Sequence, residues 1–337
     1  MTPAPSTIAF VSLAESGTPL LWLALLGGLV LLLVGGDGLS RGAASLALQL
    51  RIPPIVVGLT VVSAATSAPE LFTSAVSLAE GREGLAVGNI IGSNAANLGL
   101  ILAVAALIHP LAVESRLVRQ ELPLLVGTTL LFPFLAAFGG GLSTLDGILF
   151  LSLLGLYLLL LVRSVRGSHY EESVAGEIPR ARGGPAVALL LVAGGTFLLW
   201  LGADLAVAGA SELARRAGVS ETLVGITLVA VGTSLPELGA AGVAAYRRQS
   251  GLVVGNVIGS NLFNLLLICG IGAVSFPFPV APTILRVEYF GVIALTVLFA
   301  GLAWSRGHIG RRTAFLLLLL YAAFLLFAVS RENPVLS

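Results

Sequence analysis

The chain alternates long apolar runs with short polar punctuation. Leu20–Val34, Leu122–Ala137, Gly147–Val162, Ala186–Leu201, Phe290–Trp304 and Ala314–Val329 are the cores of runs that are apolar on every face. A helix needs about 20 such residues to cross a bilayer. In lipid only a helix or a closed barrel satisfies its backbone, and these runs are continuous rather than alternating, which selects helices. The pattern predicts an all-α membrane protein with ten transmembrane helices, over 19–49, 54–79, 84–108, 120–138, 143–164, 185–216, 221–246, 251–275, 286–304 and 312–330.

The pattern repeats. Gly58 matches Gly225, Thr66 matches Thr233, Glu70 matches Glu237, Gly88 matches Gly255 and Asn97 matches Asn264, all 167 residues apart. Between Val57 and Leu102 about half the positions equal their partners without a gap, the mark of an internal repeat. The match extends weakly backwards to Asp37 with Asp204 and Leu46 with Leu213. Each unit holds five spans, so the second copy enters from the opposite side of the membrane. The expected architecture is two inverted-topology five-helix repeats, 1–164 and 185–337, joined by a polar cytoplasmic linker at 165–184.

Arginine sets the orientation, since all 18 basic residues are arginine. With the N-terminus outside, the cytoplasmic connections and flanks hold Arg51, Arg116, Arg119, Arg163, Arg166, Arg180, Arg182, Arg247, Arg248, Arg306, Arg311 and Arg312. The outer side holds Arg82, Arg215, Arg216, Arg286 and Arg331. The positive-inside bias places both termini outside. Composition agrees: 57% hydrophobic, 10% charged, mean hydropathy +1.02, against about 25% charged residues in soluble domains. The lone Cys269 excludes disulfides and cysteine metal sites and reads as a small buried side chain. His109, His169 and His308 fall near span ends or in a loop, so no histidine relay crosses the membrane. The first residues, "MTPAPSTIAF", lack the basic start of a cleaved signal peptide. A net charge of +1 gives no nucleic-acid signature.

Two polar strings interrupt the apolar background, "AATSAPELFTSAVS" from Ala64 and "VAVGTSLPELGAAG" from Val229. Pro69 and Pro236 lack an N–H and break the helix, freeing carbonyls near Thr66 and Thr233. Glu70 and Glu237 are costly in a bilayer and must face the bundle interior. With the hydroxyls of Ser67 and Ser234 they make an all-oxygen environment, the choice of hard cations such as Ca²⁺ and Na⁺. The next span in each half carries "GNIIGSNAANLG" from Gly88 and "GNVIGSNLFNLL" from Gly255. Ser93 and Asn97 share a helix face, as do Ser260 and Asn264, with Asn89 and Asn256 on the same stripes. Gly88 with Gly92, and Gly255 with Gly259, have the spacing that lets membrane helices pack closely. Asp37 is followed at four residues by Arg41, the spacing of an ion pair on one face. Asp204 occupies the equivalent place, where Ala208 replaces the arginine, and neither aspartate is assigned to the site.

At "ATSAPE", "GTSLPE" and the two "GN(I/V)IGSN" strings the chain resembles the cation/calcium exchanger superfamily, whose members carry two alpha-repeats, and most of all a prokaryotic sodium/calcium exchanger. The resemblance covers nearly the whole chain. It implies that Glu70 and Glu237 are central shared carboxylates and that Thr66 and Thr233 supply backbone carbonyls. It further implies that Ser67 and Ser234 hold flanking sodium sites, and that Ser93, Asn97, Ser260 and Asn264 complete the cluster. The first and sixth helices, around 19–49 and 185–216, would slide across this core. Many sodium/calcium exchangers carry Asp where this chain has Asn264, which leaves two core carboxylates instead of three.

Charge balance then describes exchange. One Ca²⁺, two Na⁺ or two H⁺ neutralise two glutamates, and an empty site at −2 resists moving through low dielectric. The absent third carboxylate predicts at most one further, weakly held sodium. The expected function is a Ca²⁺/Na⁺ antiporter working by alternating access in a prokaryotic cell (inner) membrane. Its bound ions are transported rather than resident, with no cofactor and no obligatory protein partner. The alternatives are a Ca²⁺/H⁺ or other cation/Ca²⁺ antiporter, with K⁺ co-transport open, and less favoured a cation channel. An intramembrane enzyme lacks a nucleophile–base pair, a metal-bound water site and a cofactor motif. The linker is too short for a folded calcium sensor.

Overall fold

The computed structural model describes residues 13, 16–50, 52–166, 184–218 and 232–332. The elements are almost all helical. They are α1 (Thr18–Leu50), α2 (Pro54–Thr66), α3 (Ala68–Ala79), α4 (Glu83–Ile108), α5 (Ser115–Arg119), α6 (Glu121–Gly139), α7 (Thr144–Arg166), α8 (Gly184–Arg216), α9 (Leu235–Tyr246), α10 (Ser250–Ser275), α11 (Pro282–Arg306) and α12 (Arg311–Glu332). Among the described residues eight helices are long and apolar enough to cross a membrane, nine if the bent pair α2–α3 counts as one span. Each lies within four residues of an expected span. Of the expected span 221–246, α9 is described, and residues 219–231 lie outside the described residues.

Four two-residue strands tie the helix ends together. β1 (Leu111–Ala112) pairs antiparallel with β4 (His308–Ile309), and β2 (Gly141–Leu142) with β3 (Phe278–Pro279). The pairings Leu111 with Ile309 and Leu142 with Phe278 carry each other's repeat positions, 167 residues along or back. Gly140 and Gly307, also repeat partners, end α6 and α11 at φ 70° and 64°, the left-handed conformation glycine adopts freely.

Two packing modes organise the bundle. α4 and α10 form its centre, with 78% and 83% of their most apolar windows buried. Gly255 and Gly259 of α10 lie against the backbone of α2. A Cβ on Gly255 would sit 2.6 Å from the Ile55 carbonyl, and one on Gly259 2.7 Å from the Leu59 carbonyl. The expected close packing therefore holds at this pair. Gly88 and Gly92 meet no described atom within 4 Å. Their repeat counterpart of the α2 contact would come from residues 219–231, outside the described set.

The second mode joins α1 to α8, which run antiparallel along most of their length. Glycines recur every seventh residue on both: Gly28, Gly35 and Gly42 on α1, and their repeat partners Gly195, Gly202 and Gly209 on α8. Each stands where a Cβ would collide with the other helix. A Cβ on Gly35 would lie 2.7 Å from the Gly195 carbonyl, and one on Gly195 only 2.4 Å from the Leu39 nitrogen. Seven-residue spacing keeps the seam on one side of each helix, and the missing side chains let backbone meet backbone, the usual cement of membrane helices. The pair's other surfaces carry exposed apolar side chains such as Leu23, Val30, Leu33, Leu190 and Phe197.

Substituting Gly195→Val is expected to lower the detergent thermal midpoint by several degrees, since overpacking costs ~1–3 kcal/mol. The adjacent Gly194→Val, at a position with nothing within 4 Å, carries the same helix-propensity penalty and is expected to leave it nearly unchanged. A fluorescence melting curve checks both.

Candidate cation-binding site

The α2–α3 break falls at the first polar string. Thr66 closes α2, Ser67 sits between the helices at φ −83° and ψ 5°, and α3 leaves at 45°. Pro69 in the first turn of α3 has no N–H, so the Ala65 carbonyl four residues earlier loses its helical donor. The second string does the same. Ser234 has φ −92° and ψ 6°, Pro236 enters the first turn of α9, and Gly232 loses its donor. Each break leaves a glutamate, Glu70 or Glu237, in the first turn of a new helix, where the positive end of the peptide dipoles favours a carboxylate.

All ten expected site residues are buried, none above 4% exposed. Thr66, Ser67 and Glu70 come from the α2–α3 break, and Thr233, Ser234 and Glu237 from the start of α9. Ser93 and Asn97 come from α4, Ser260 and Asn264 from α10. Asn97 opens one π-helical turn, Asn97–Ile101, and Asn264 is the second residue of another, Phe263–Ile268. Such a bulge shifts the direction of the side chains it carries and is frequent at functional sites.

Contacts cross between the halves. The Ser67 hydroxyl donates to Glu237 Oε1 at 3.3 Å, and Thr66 donates to Asn256 Oδ1 at 3.3 Å. Asn264 Nδ2 donates to Asn94 Oδ1 at 3.2 Å, which turns the Asn264 carbonyl away from Asn94. The hydroxyls of Ser93 and Ser234 approach Glu70, and those of Thr66 and Ser67 approach Glu237. Each glutamate is thus served by a serine of the opposite string, and the Glu70 carboxylate feels the charge of Glu237. Asn97 and Ser260 are buried alongside without a hydrogen bond to either carboxylate. Asn89 faces the other way, donating to the Glu70 backbone carbonyl at 3.3 Å and to Ser74 Oγ at 3.0 Å, and so braces α3 from outside the cage.

Several buried polar atoms at the site lack hydrogen-bond partners among the described residues. Glu70 Oε2, Glu237 Oε2, Ser93 Oγ, Ser234 Oγ, Ser260 Oγ, Asn97 Oδ1 and Asn264 Oδ1 are buried and have no hydrogen-bond partner. Among the described residues no arginine or histidine pairs with either glutamate. Buried polar atoms are normally satisfied, and buried charges paired. The unpartnered atoms also include the amide donors Asn94 Nδ2 and Asn256 Nδ2, but neither they nor the hydroxyls carry positive charge, and carboxylate, amide and hydroxyl oxygens together suit a hard cation. An apolar-walled cavity of about 560 Å³ reaches the breaks from the half of the molecule where α3 and α10 end, lined by Thr66, Pro69, Phe72, Trp200, Pro236 and Ile271.

The polar strings do not single out Asn94 as a site residue, and Ser63 lies just before them. Ser63 donates to the Gly58 carbonyl at 2.7 Å and to the Asn256 carbonyl at 3.1 Å, joining α2 to α10. For Asn94 the available signal was its repetition as Asn261. Ser63 had none, because its repeat position is Ala230.

A family model described as sodium/calcium exchanger protein matches residues 20–163 and again 187–330. The chain belongs to the sodium/calcium exchanger family. Its similarity to individual relatives spans most of the chain. It is 37% identical over 287 residues to inner membrane protein YrbG of Escherichia coli (strain K12), covering 83% of this chain and 87% of that one. It is 30% identical over 341 residues to sodium/calcium exchanger MaX1 of Methanosarcina acetivorans, covering 90% and 97%. Among solved structures, the sodium-calcium exchanger NCX_Mj soaked with 10 mM Na⁺ and zero Ca²⁺ matches with a TM-score of 0.79 at 30% identity, covering 91% of this chain and 98% of that one. The family relation and the apolar helices make it a multi-pass membrane protein.

A cage of unpaired carboxylates should be least stable when empty. Glu70→Gln and Glu237→Gln are each expected to raise the melting temperature in chelator without Na⁺. Each should also abolish the rise that Ca²⁺ gives the parent, which for a site at 100 times its Kd corresponds to ~2.7 kcal/mol. Melting curves with and without Ca²⁺ check both halves of this expectation.

Proposed function

We propose that the protein is a secondary active antiporter that exchanges Ca²⁺ for Na⁺ across the membrane by alternating access. Membership of the family supports cation/Ca²⁺ exchange at the coarser level. The observation that carries the finer reading is the cage itself: two glutamates without a basic partner among the described residues, ringed by buried hydroxyl and amide oxygens and drawn from both halves of the chain. Glu70, Glu237, Thr66, Thr233, Ser67, Ser234, Ser93, Asn97, Ser260 and Asn264 are its ligands and supports.

Charge sets the exchange. Two carboxylates at −2 are neutralised by one Ca²⁺ or by two Na⁺, and a neutral core crosses a low-dielectric barrier where a charged one does not. The occupant therefore favours the switching state by differential stabilisation, and the empty carrier stalls. Most of the unpartnered oxygens are neutral hydroxyls and amide carbonyls. These can ligate Na⁺ but take up no proton, which favours Na⁺ over H⁺ as the coupling ion. Asn264 supplies a carbonyl without charge, so at most one further Na⁺ binds, weakly.

Alternating access needs two equivalent ways through one site, and an inverted repeat supplies them. The proposed architecture is ten spans in two inverted five-helix repeats, 1–164 and 185–337, joined by the linker 165–184. The exchange of the two strand ladders under a 167-residue shift supports it, as does the matching glycine seam. Both termini lie outside in a prokaryotic cell (inner) membrane. The arginines gathered where α1, α7, α9 and α11 end support that orientation.

The test is ⁴⁵Ca²⁺ uptake into proteoliposomes loaded in turn with Na⁺, K⁺ or a proton gradient. Na⁺-loaded vesicles are expected to take up Ca²⁺ at least ~10-fold faster than the others, and Glu70→Gln or Glu237→Gln to cut that rate ~100-fold or more, as loss of an essential charge-neutralising group does. Unlabelled Ca²⁺ inside should accelerate uptake, which a channel does not show. Uptake driven by protons alone would replace Na⁺ with H⁺ in this reading. Current recordings on the same vesicles are expected to show little electrogenic transport. A fixed three-to-one reversal potential would overturn the charge count.

A further inference from the structure

Among the described residues the site is reached by a wide cavity on one side and by a narrow void on the other, where a set of polar contacts bridges the helices. From Glu237 the helix α9 runs through Ala240 and Ala244 to its end at Tyr246. α1 roofs this stretch. A Cβ on Gly36 would lie 2.7 Å from the Gly239 carbonyl, so the two backbones touch just beyond Glu237. Below that point lies a void of about 10 Å³, lined by Leu39, Ser40, Val62, Ala240, Ala244 and Asn256. It links the cage, through Asn256, to Ser40 on α1. The cavity on the opposite side is about 560 Å³.

The void is capped by side chains that bridge α1 to the turn after α9. Asp37 binds Arg247, and the Ser40 hydroxyl donates to Gln249 Oε1. Asp37 also holds Arg41 of its own helix at 2.8 Å, the ion pair its spacing predicted. The turn is itself unusual, because Arg248 has φ 58°. For side chains other than glycine this left-handed conformation costs ~1 kcal/mol or more. The equivalent position in the first repeat is Gly81, at φ 68°. The chain thus keeps a strained arginine between the two residues that reach α1.

We propose that Asp37 with Arg247, and Ser40 with Gln249, form a latch that closes the passage from the site to the face where α9 ends. Ions leave on that side only after α1, carrying α8 along the glycine seam, pulls these contacts apart. The other repeat has different residues at the latch positions: Glu80 stands in the place of Arg247, Arg82 in that of Gln249 and Val207 in that of Ser40, and Glu80 pairs with Arg82. The proposal rests on the alternating-access reading, but its test reads the passage and not the transported ion.

In a Cys269→Ala background, Ala244→Cys places one thiol in the sealed void and, in a separate protein, Ala75→Cys places one in the open cavity. A charged, water-soluble thiol reagent is added to purified protein in detergent. Asp37→Asn and Arg247→Gln are each expected to speed labelling at the Ala244→Cys thiol at least ~5-fold and to slow it at the Ala75→Cys thiol, as a shift between two populations requires. The double variant should do no more than either single one, because both remove the same bond. Arg41→Gln, which leaves the bridge between α1 and the turn intact, should change the rate less than ~2-fold. Unchanged labelling in both bridge variants overturns the latch, as does an equal effect of Arg41→Gln. Faster labelling at both thiols signals loosened structure and also counts against it. If the latch variants respond as expected but vesicles show no cation-driven Ca²⁺ flux, the latch stands and the exchanger reading falls. If flux is present and labelling does not respond, the exchanger reading stands and the latch falls.

Discussion

Two carboxylates buried within reach of each other, with no base among the described residues to neutralise them, are the constraint from which the rest of this molecule follows. Glu70 and Glu237 are each 1% exposed. Removing a carboxylate from water costs several kcal/mol unless something of opposite sign accompanies it. In most proteins that partner is an arginine or lysine fixed by the fold. In the function proposed for this chain it is left to an ion that can leave. The surrounding serines and asparagines do not remove the deficit, because hydroxyls and amides can donate hydrogen bonds but carry no positive charge. The helix breaks soften it by presenting each carboxylate at a helix N-terminus. What the fold tolerates is thus a charge deficit that different solutes can fill in turn, which is the thermodynamic core of exchange.

That site can be built only where backbone may be irregular, and in a membrane such backbone must be shielded by protein. α4 and α10 supply the shield, and their polar faces complete the cage. The glycine seam solves a different problem. Helices that must move over a polar core cannot be anchored to it by interlocking side chains. α1 and α8 are joined firmly to each other through backbone contacts, and the faces they turn away from the core carry exposed leucine, valine and phenylalanine. Lipid tails solvate those faces equally well before and after a displacement, so the membrane sets no strong preference for either position.

Much of this was legible in the chain. Continuous apolar runs gave the helices, since nothing else satisfies a backbone in lipid, and the boundaries held within a few residues. The polar strings named the ten residues proposed for the cage, because a glutamate and proline amid valine and leucine have no ready structural explanation, and all ten are buried. What escaped were features that depend on partners distant in sequence. Ser63 is one serine among many until α10 lies across it. The seven-residue glycine series is visible in the text, but glycine is so common here that only the α1–α8 contact gives the series meaning. Asp37 and Arg41 were readable as a local pair from their spacing, while Arg247, 210 residues away from Asp37, was not. The four strands are too short to leave any pattern.

The two repeats match at the cage and differ at its rim, and the difference has a direction. Were the halves identical, the conformations open to each side would be mirror arrangements of equal energy. The site would then face both solutions equally. Contacts made by Asp37, Ser40, Arg247 and Gln249 exist in one arrangement, and their counterparts, with Glu80 and Arg82 already paired together, cannot be formed by the same residues in the other. Partly exposed ion pairs are worth only ~0–1 kcal/mol each, which is the right scale for a bias. A stronger bond would trap the carrier and slow every cycle, whereas one of this size shifts the resting population several-fold and still yields to a bound ion. The asymmetry at the rim thus decides which way an otherwise even-handed carrier waits.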